Sequence, residues 1–184
     1  MSKGPIAVIL AILIIGSVAG YLFYTNYVQG TLTLTITDPA QAQYGNSQQY
    51  DASITHINVT FSQFAVHVAG QGNSSGWRII KISSTTIDMM SILSVSKDLG
   101  KVPLPAGKYD SLRFNVTSVS VNFLGKPSVI YSVPSGSLKV PITNGGFQIS
   151  ATSSVMVQLT LSFNNSEIIA MNGFLTPVAT AKVT

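Results

Sequence analysis

From Gly30 onward the chain alternates apolar and polar residues with a period of two. "TLTLTIT", Thr31 to Thr37, puts Leu32, Leu34 and Ile36 on one face and threonines on the other, the pattern of a strand with a buried side. "ITHINVTFSQFAVHV" carries Ile57, Val59 and Phe61 on one face, then Phe64, Val66 and Val68. Its parity slips once, at Ser62-Gln63, which predicts a β-bulge inside one long strand. "LRFNVTSVSVNF" behaves alike: Leu112, Phe114 and Val116 face the core, a slip falls near Thr117-Ser118, and Val119, Val121 and Phe123 follow. "WRIIKI", "SVIYSV", "LKVPI", "FQIS" and "VMVQLTLSF" predict further strands, with a final pair in "EIIAMNGFLTPVAT".

The connectors "LGKP", "PSGS", "TNGG" and "MNG" are short and rich in turn formers. Asn144-Gly145 and Asn172-Gly173 predict type I′ hairpin turns, whose two central residues both need positive φ. "DPAQAQYGNSQQYD" reads as a loop, and "TTIDMMSILSV", Thr85 to Val95, as a short helix with Ile87, Met90 and Leu93 on one face. Together these elements predict an antiparallel β-sandwich, Ig-like or transthyretin-like, over residues 29–184, with no internal repeat and no second domain.

Residues 1–28 follow a different rule. "PIAVILAILIIGSVAGYLFY", Pro5 to Tyr24, is an uncharged apolar run long enough to cross a hydrocarbon core as a helix. Tyr21, Phe23, Tyr24 and Tyr27 gather at its C-terminal end like an interfacial belt. Lys3 precedes the run and the next basic residue is Arg78, so the positive-inside bias leaves the N-terminus in the cytoplasm and the β domain outside the cell membrane. The lipid bilayer is therefore the first expected partner. Two alternatives compete with an uncleaved single-pass anchor. "SVA", Ser17 to Ala19, offers a small-x-small triplet to signal peptidase. "KG", Lys3-Gly4, resembles the cleavage site of an archaeal type IV prepilin, although Pro5 departs from that pattern.

Composition narrows the function. Only 9% of the 184 residues are charged and 46% are hydrophobic, so the surface is polar mainly through Ser, Thr, Asn and Gln. There is no cysteine, hence no disulfide, thiolate metal site or thiol nucleophile. The net charge is +4, but the basic residues are scattered without a phosphate-tracking run, so no nucleic-acid partner is expected.

Candidate chemistry is sparse. "GNSSG", Gly72 to Gly76, matches G-x-S-x-G, but it lies in a loop before a strand rather than between strand and helix, so it reads as a loop. His56 and His67 fall on the polar parity of their strand and read as surface histidines. Asp38, Asp51, Asp88, Asp98, Asp110 and Glu167 are widely separated, with no metal-binding spacing. Lys108, Asp110 and Arg113 read as a solvated charge group beside the turn made by Pro105 and Gly107, worth little in stability. Trp77 reads as a core or rim aromatic, or else as a stacking platform for a glycan. Asn58, Asn73, Asn115 and Asn164 each begin an acceptor sequon, and strand parity turns three of them outward while Asn73 lies in a loop. All four are expected to be accessible to glycosylation outside the cell. No catalytic residue, cofactor or metal is expected.

"GTLTLTITDPA", "INVTFSQFAVHVAGQGNSSGWRIIK", "LPAGKYDSLRFNVTSVSV" and "VPSGSLKVPI" resemble, in that order, the domain-of-unknown-function family 4382 across Gly30 to Val183. The resemblance implies an extracytoplasmic β-sandwich module of prokaryotic cell surfaces, often membrane-tethered. Bacterial relatives commonly attach through a lipidated cysteine; this chain has none, so the apolar helix takes over that tether. The family supplies no catalytic residues to carry over. The first functional expectation is a non-enzymatic envelope structural or adhesion module that contacts other envelope proteins. The second is a filament subunit, assembled through a pilin-like helix or through donation of "TLTLTIT". The third is a glycan or small-ligand binding module.

Overall fold

The computed structural model describes residues 4–38 and 50–184. One helix, α1 (Gly4–Tyr27), precedes eleven strands. These are β1 (Gln29–Thr37), β2 (Ile54–Val68), β3 (Trp77–Ile80), β4 (Thr85–Asp88), β5 (Lys97–Pro105), β6 (Gly107–Phe123), β7 (Lys126–Tyr131), β8 (Ser137–Pro141), β9 (Phe147–Ile149), β10 (Ser154–Phe163) and β11 (Pro177–Val183). A second, short helix, α2 (Asn165–Ala170), lies between β10 and β11.

Two sheets face each other across the core. The first runs β11-β10-β1-β5, antiparallel except where β1 lies parallel to β10. The second is organised by the long β2–β6 ribbon. β3 and β4 share the free side of β2, and β7, β8 and β9 share the free side of β6. The sandwich predicted from alternation is therefore what forms, and no barrel closes.

Both predicted parity slips are bulges in this ribbon. Thr60 pairs with Ser118, Phe61 with Val116 and Gln63 with Asn115. Thr117 and Ser62 are thus extra residues, one on each strand, on either side of the Phe61–Val116 pair. Doubling the bulge lets both strands bend together while their apolar faces stay aimed at the core. At this bend Phe61, Phe64 and Phe114 form an aromatic cluster with centroids 5.7, 5.8 and 6.1 Å apart, and all three are fully buried.

β1 has apolar Leu32, Leu34 and Ile36 facing the core, yet Thr33 and Thr35 are also buried. Its place between β10 and β5 in the sheet explains this. "TLTLTIT" thus sits inside its own sheet, hydrogen-bonded on both sides. β5, with exposed Pro103 and buried Val102 and Leu104, forms the opposite edge, where a proline costs no ladder bond.

Several local expectations change. Thr85 to Val95 is not a helix with Ile87, Met90 and Leu93 on one face. It is β4 followed by a single 3₁₀ turn, Met89–Ile92, with Ile87, Met89 and Ile92 buried. Asp88 ends the strand because its side chain accepts the Met90 N–H at 3.1 Å. The predicted final pair of strands is α2 and then β11. Asn164 caps that helix, accepting the Ser166 N–H at 2.8 Å, and Glu167 sits in its first turn.

Asn144 and Gly145 do take positive φ, 63° and 77°. Their turn makes an excursion between β8 and β9, both of which pair with β6, rather than a hairpin. Gly146, at φ 93°, packs so tightly that a Cβ there would overlap the Tyr109 carbonyl oxygen. At Asn172-Gly173 the positive φ values belong to Met171 and Gly173 instead, so no type I′ turn forms. Most of the predicted loop from Asp38 to Asp51 lies outside the described residues.

α1 enters the sandwich with no linker beyond Val28. The Val28 N–H donates to the Tyr24 carbonyl at 3.1 Å, the Ala106 N–H donates to Val28 at 2.8 Å, and the Thr152 N–H donates to Gln29 at 3.1 Å. Gly30 permits this junction, because a side chain there would collide with the Ser150 and Ser153 carbonyls at 2.6 and 2.7 Å.

Candidate functional site

Two features stand apart from the core: the bare helix and a polar cluster on the outer face of the second sheet. Every described large side chain of α1 is exposed, from 50% at Tyr24 to 68% at Tyr21, and none joins the core of the sandwich. Ala7–Tyr24 is long and apolar enough to cross a bilayer. Leaving this surface in water would cost on the order of 10 kcal/mol, taking about 1 kcal/mol for each half-exposed aliphatic or aromatic side chain.

The polar cluster begins with register. In the outer row, His67 pairs with Trp77 on β3 and with Ser111 on β6. Ala65, one row along, pairs with Arg113, which pairs with Lys139 on β8. Between Tyr109 and Ser111 lies a third bulge, since Val68 pairs with Tyr109 and His67 with Ser111. Asp110 is the extra residue, and its carboxylate reaches His67 Nδ1 at 2.9 Å. On the other side of the ring, His67 Nε2 meets the Gly72 carbonyl at 3.1 Å.

Both ring nitrogens therefore face acceptors, a geometry that only the doubly protonated imidazolium satisfies in full. Burial pulls the His67 pKa down, but the Gly72 carbonyl and the Asp110 carboxylate outweigh it and leave it raised above 6.5. For Asp110, burial pushes upward, while the bonds from His67 and Ser111 prevail and hold its pKa below 3.8. Trp77 closes the site. Its ring lies 4.9 Å from the His67 ring, the Arg113 guanidinium sits 3.9 Å over it, and its Nε1–H donates to the Asn73 carbonyl at 3.0 Å.

This corrects two sequence expectations. His67 does lie on the outward parity, but at 3% exposure it is no surface histidine; the 69–76 loop and Trp77 cover it. Asp110 is not part of a loose charge group, because the bulge turns it onto His67. Lys108 remains exposed, and Arg113 covers Trp77. His56 is exposed as expected, with Asp88 at 2.7 Å from Nδ1. The two histidines do not meet, and among the described residues no group of three or more His, Cys, Asp or Glu side chains is placed to hold a metal.

"GNSSG" is a turn, as expected; Ser75 Oγ donates to the Gly72 carbonyl at 3.3 Å. The Trp77 ring carries the Arg113 guanidinium on one face. Of the sequons only Asn73 is exposed, with its Oδ1 accepting from Lys139 Nζ at 3.0 Å. Asn58, Asn115 and Asn164 are half-buried, and Asn115 Nδ2 donates to Gln63 Oε1 at 3.1 Å while Asn164 is the α2 cap.

A buried carboxyl that the sequence pattern does not reveal lies elsewhere. Asp38, at the end of β1, is fully buried. Its Oδ2 accepts the Tyr50 hydroxyl at 2.6 Å, and that hydroxyl accepts the Phe163 N–H at 3.2 Å. Among the described residues Oδ1 has no hydrogen-bond partner. Desolvation raises this carboxyl to about 7, against the smaller downward pull of Tyr50.

No match was found to a curated protein or to a solved structure. The family model described as domain of unknown function (DUF4382) matches residues 29–175, which is the whole sandwich up to the start of β11. The chain belongs to the domain of unknown function family DUF4382, carried here behind an apolar N-terminal helix.

Proposed function

We propose that this protein is a single-pass membrane protein whose sandwich is held against the outer surface of the cell membrane as a non-enzymatic envelope module. The observation that carries the reading is the bareness of α1: an apolar helix whose described side chains join no core of the sandwich suits a bilayer around it. Its junction with β1 through Val28 alone gives the module almost no reach, which suits a structural or contact role at the membrane better than capture of distant ligands. The non-enzymatic part is supported by His67, whose Nε2, the nitrogen a serine nucleophile would need, is turned onto a backbone carbonyl. Glycosylation would concentrate at Asn73, the exposed sequon.

Carbonate extraction of membranes from the producing cells, with mass spectrometry of the mature N-terminus, tests the reading. An anchor keeps the full chain in the carbonate-washed membrane with Met1 or Ser2 at its start. Release of a chain beginning after Ala19 would establish a cleaved signal, and a start at Gly4 or Pro5 in sheared surface fractions would favour the filament subunit.

A further inference from the structure

The register fixes which end of the sandwich faces the bilayer, and charge is not evenly shared between the two ends. β1 leaves α1 at Gln29 and runs away from it, with β10 parallel. The end of β2 and the start of β6 return to the helix, since the Ala69 N–H donates to the Lys108 carbonyl at 2.8 Å beside Ala106 and Val28. Asp38, Asp51 and Glu167 lie at the far end, where Asp51 meets Asn165 and Tyr50 meets Phe163. Asp98 pairs with Thr35, and Asp88 pairs with Asn58 near the far end of β2. Asp110 is the one carboxylate near the helix, and His67 neutralises it.

The helix-proximal end therefore keeps uncompensated positive charge. Tyr21 and Tyr24 of α1, with Arg78, Lys108, Gln71 and Gln148 of the sandwich, line a cleft of about 430 Å³. Neither Arg78 nor Lys108 has a carboxylate within 4 Å among the described residues. Tyr21 and Tyr24 close the apolar span of the helix, so a bilayer around α1 puts its headgroup layer at the level of this cleft. Two cations, two amide side chains and two amphipathic rings at that depth suit a phosphate with its glycerol and acyl chains below.

We propose that this cleft binds the phosphate headgroup of an anionic phospholipid from the leaflet into which α1 opens, fixing the sandwich in one orientation on the membrane. The proposal rests on α1 being a membrane anchor. The lipid, rather than free phosphate, is the occupant because the tyrosines that complete the cleft belong to the membrane helix.

The test reconstitutes the full chain in vesicles of phosphatidylcholine with 30% phosphatidylglycerol. After flotation and carbonate washing, the lipid retained on detergent-released protein is counted by native mass spectrometry. Phosphatidylglycerol should be retained roughly ten-fold over its share of the mixture, from two surface cations partly screened by salt. The double variant Arg78→Gln/Lys108→Gln should lose that preference, and Lys97→Gln/Lys126→Gln at the far end should keep it. Inorganic phosphate at millimolar concentration should not displace the lipid. Co-flotation without a preference, equal loss in both double variants, or full displacement by phosphate would overturn the headgroup site while leaving the anchor standing. Loss of the chain from carbonate-washed vesicles would overturn the anchor, and this site with it.

Discussion

Replacing Asp110 by asparagine removes the one charge that faces His67 and leaves the shape nearly unchanged. His67 is 3% exposed and donates from both nitrogens, to Asp110 and to Gly72. Breaking a wholly buried ion pair costs about 3–5 kcal/mol, but the Asp110 side chain is 35% exposed. Solvent screening and the amide oxygen that still accepts a hydrogen bond reduce the loss to about 1–2 kcal/mol. The pH dependence follows from the two shifts. The raised pKa of His67 stabilises the fold fully below 6.5, and this is lost as pH rises through the folded-state value. The lowered pKa of Asp110 stabilises above 3.8, and this is lost as pH falls through its folded value. The difference between parent and variant is therefore largest near pH 5–6 and shrinks toward pH 9. Urea unfolding of the full chain in lipid nanodiscs, followed by Trp77 fluorescence at pH 5.5 and pH 9, measures it. A loss equal at both pH values, or no loss at either, would refute the buried imidazolium.

Other consequences are as direct. Phe114→Ala, at the centre of the three-ring cluster, should cost about 3–5 kcal/mol by leaving a cavity, read by the same unfolding assay. Asp38→Asn removes a carboxyl that the fold holds protonated to about pH 7. The raised pKa stabilises the parent below 3.8 and is lost as pH rises to about 7. The variant should therefore gain about 2–4 kcal/mol relative to the parent between pH 4 and pH 8. Tyr131→Phe removes the 2.6 Å bond from the buried hydroxyl to the Ile168 carbonyl that ties α2 to the sandwich. It should cost about 1–2 kcal/mol and speed amide exchange in α2.

The sandwich was legible wherever one face of a strand is buried and the other wet. Ile57 to Phe61 and Phe114 to Phe123 followed that alternation, and even the paired bulges left their mark in it. β5 was not read, because Pro103 and Pro105 interrupt the pattern and an edge strand tolerates them. α2 looked like a strand because Ile168 and Ile169 are β-formers; the Asn164…Glu167 spacing was its helix signal. The polar cluster was half legible. Parity put His67 on the correct face, but coverage by the 69–76 loop is tertiary and leaves no local pattern. The spacing of three between Tyr109 and Leu112 carried the third bulge, and with it the turning of Asp110 onto His67. Asp38 was hidden for a similar reason, since its burial depends on Tyr50 and Phe163, both distant in sequence.

The absence of cysteine makes topology directly measurable. Single variants Ser2→Cys and Ser74→Cys, expressed in cells and treated with a membrane-impermeant maleimide, report the two sides of α1 separately. Labelling of Ser74→Cys on intact cells, with Ser2→Cys reacting only after lysis, is the result predicted for a sandwich held on the outer face by a retained helix. Labelling of Ser2→Cys on intact cells, or protection of Ser74→Cys until lysis, would contradict it.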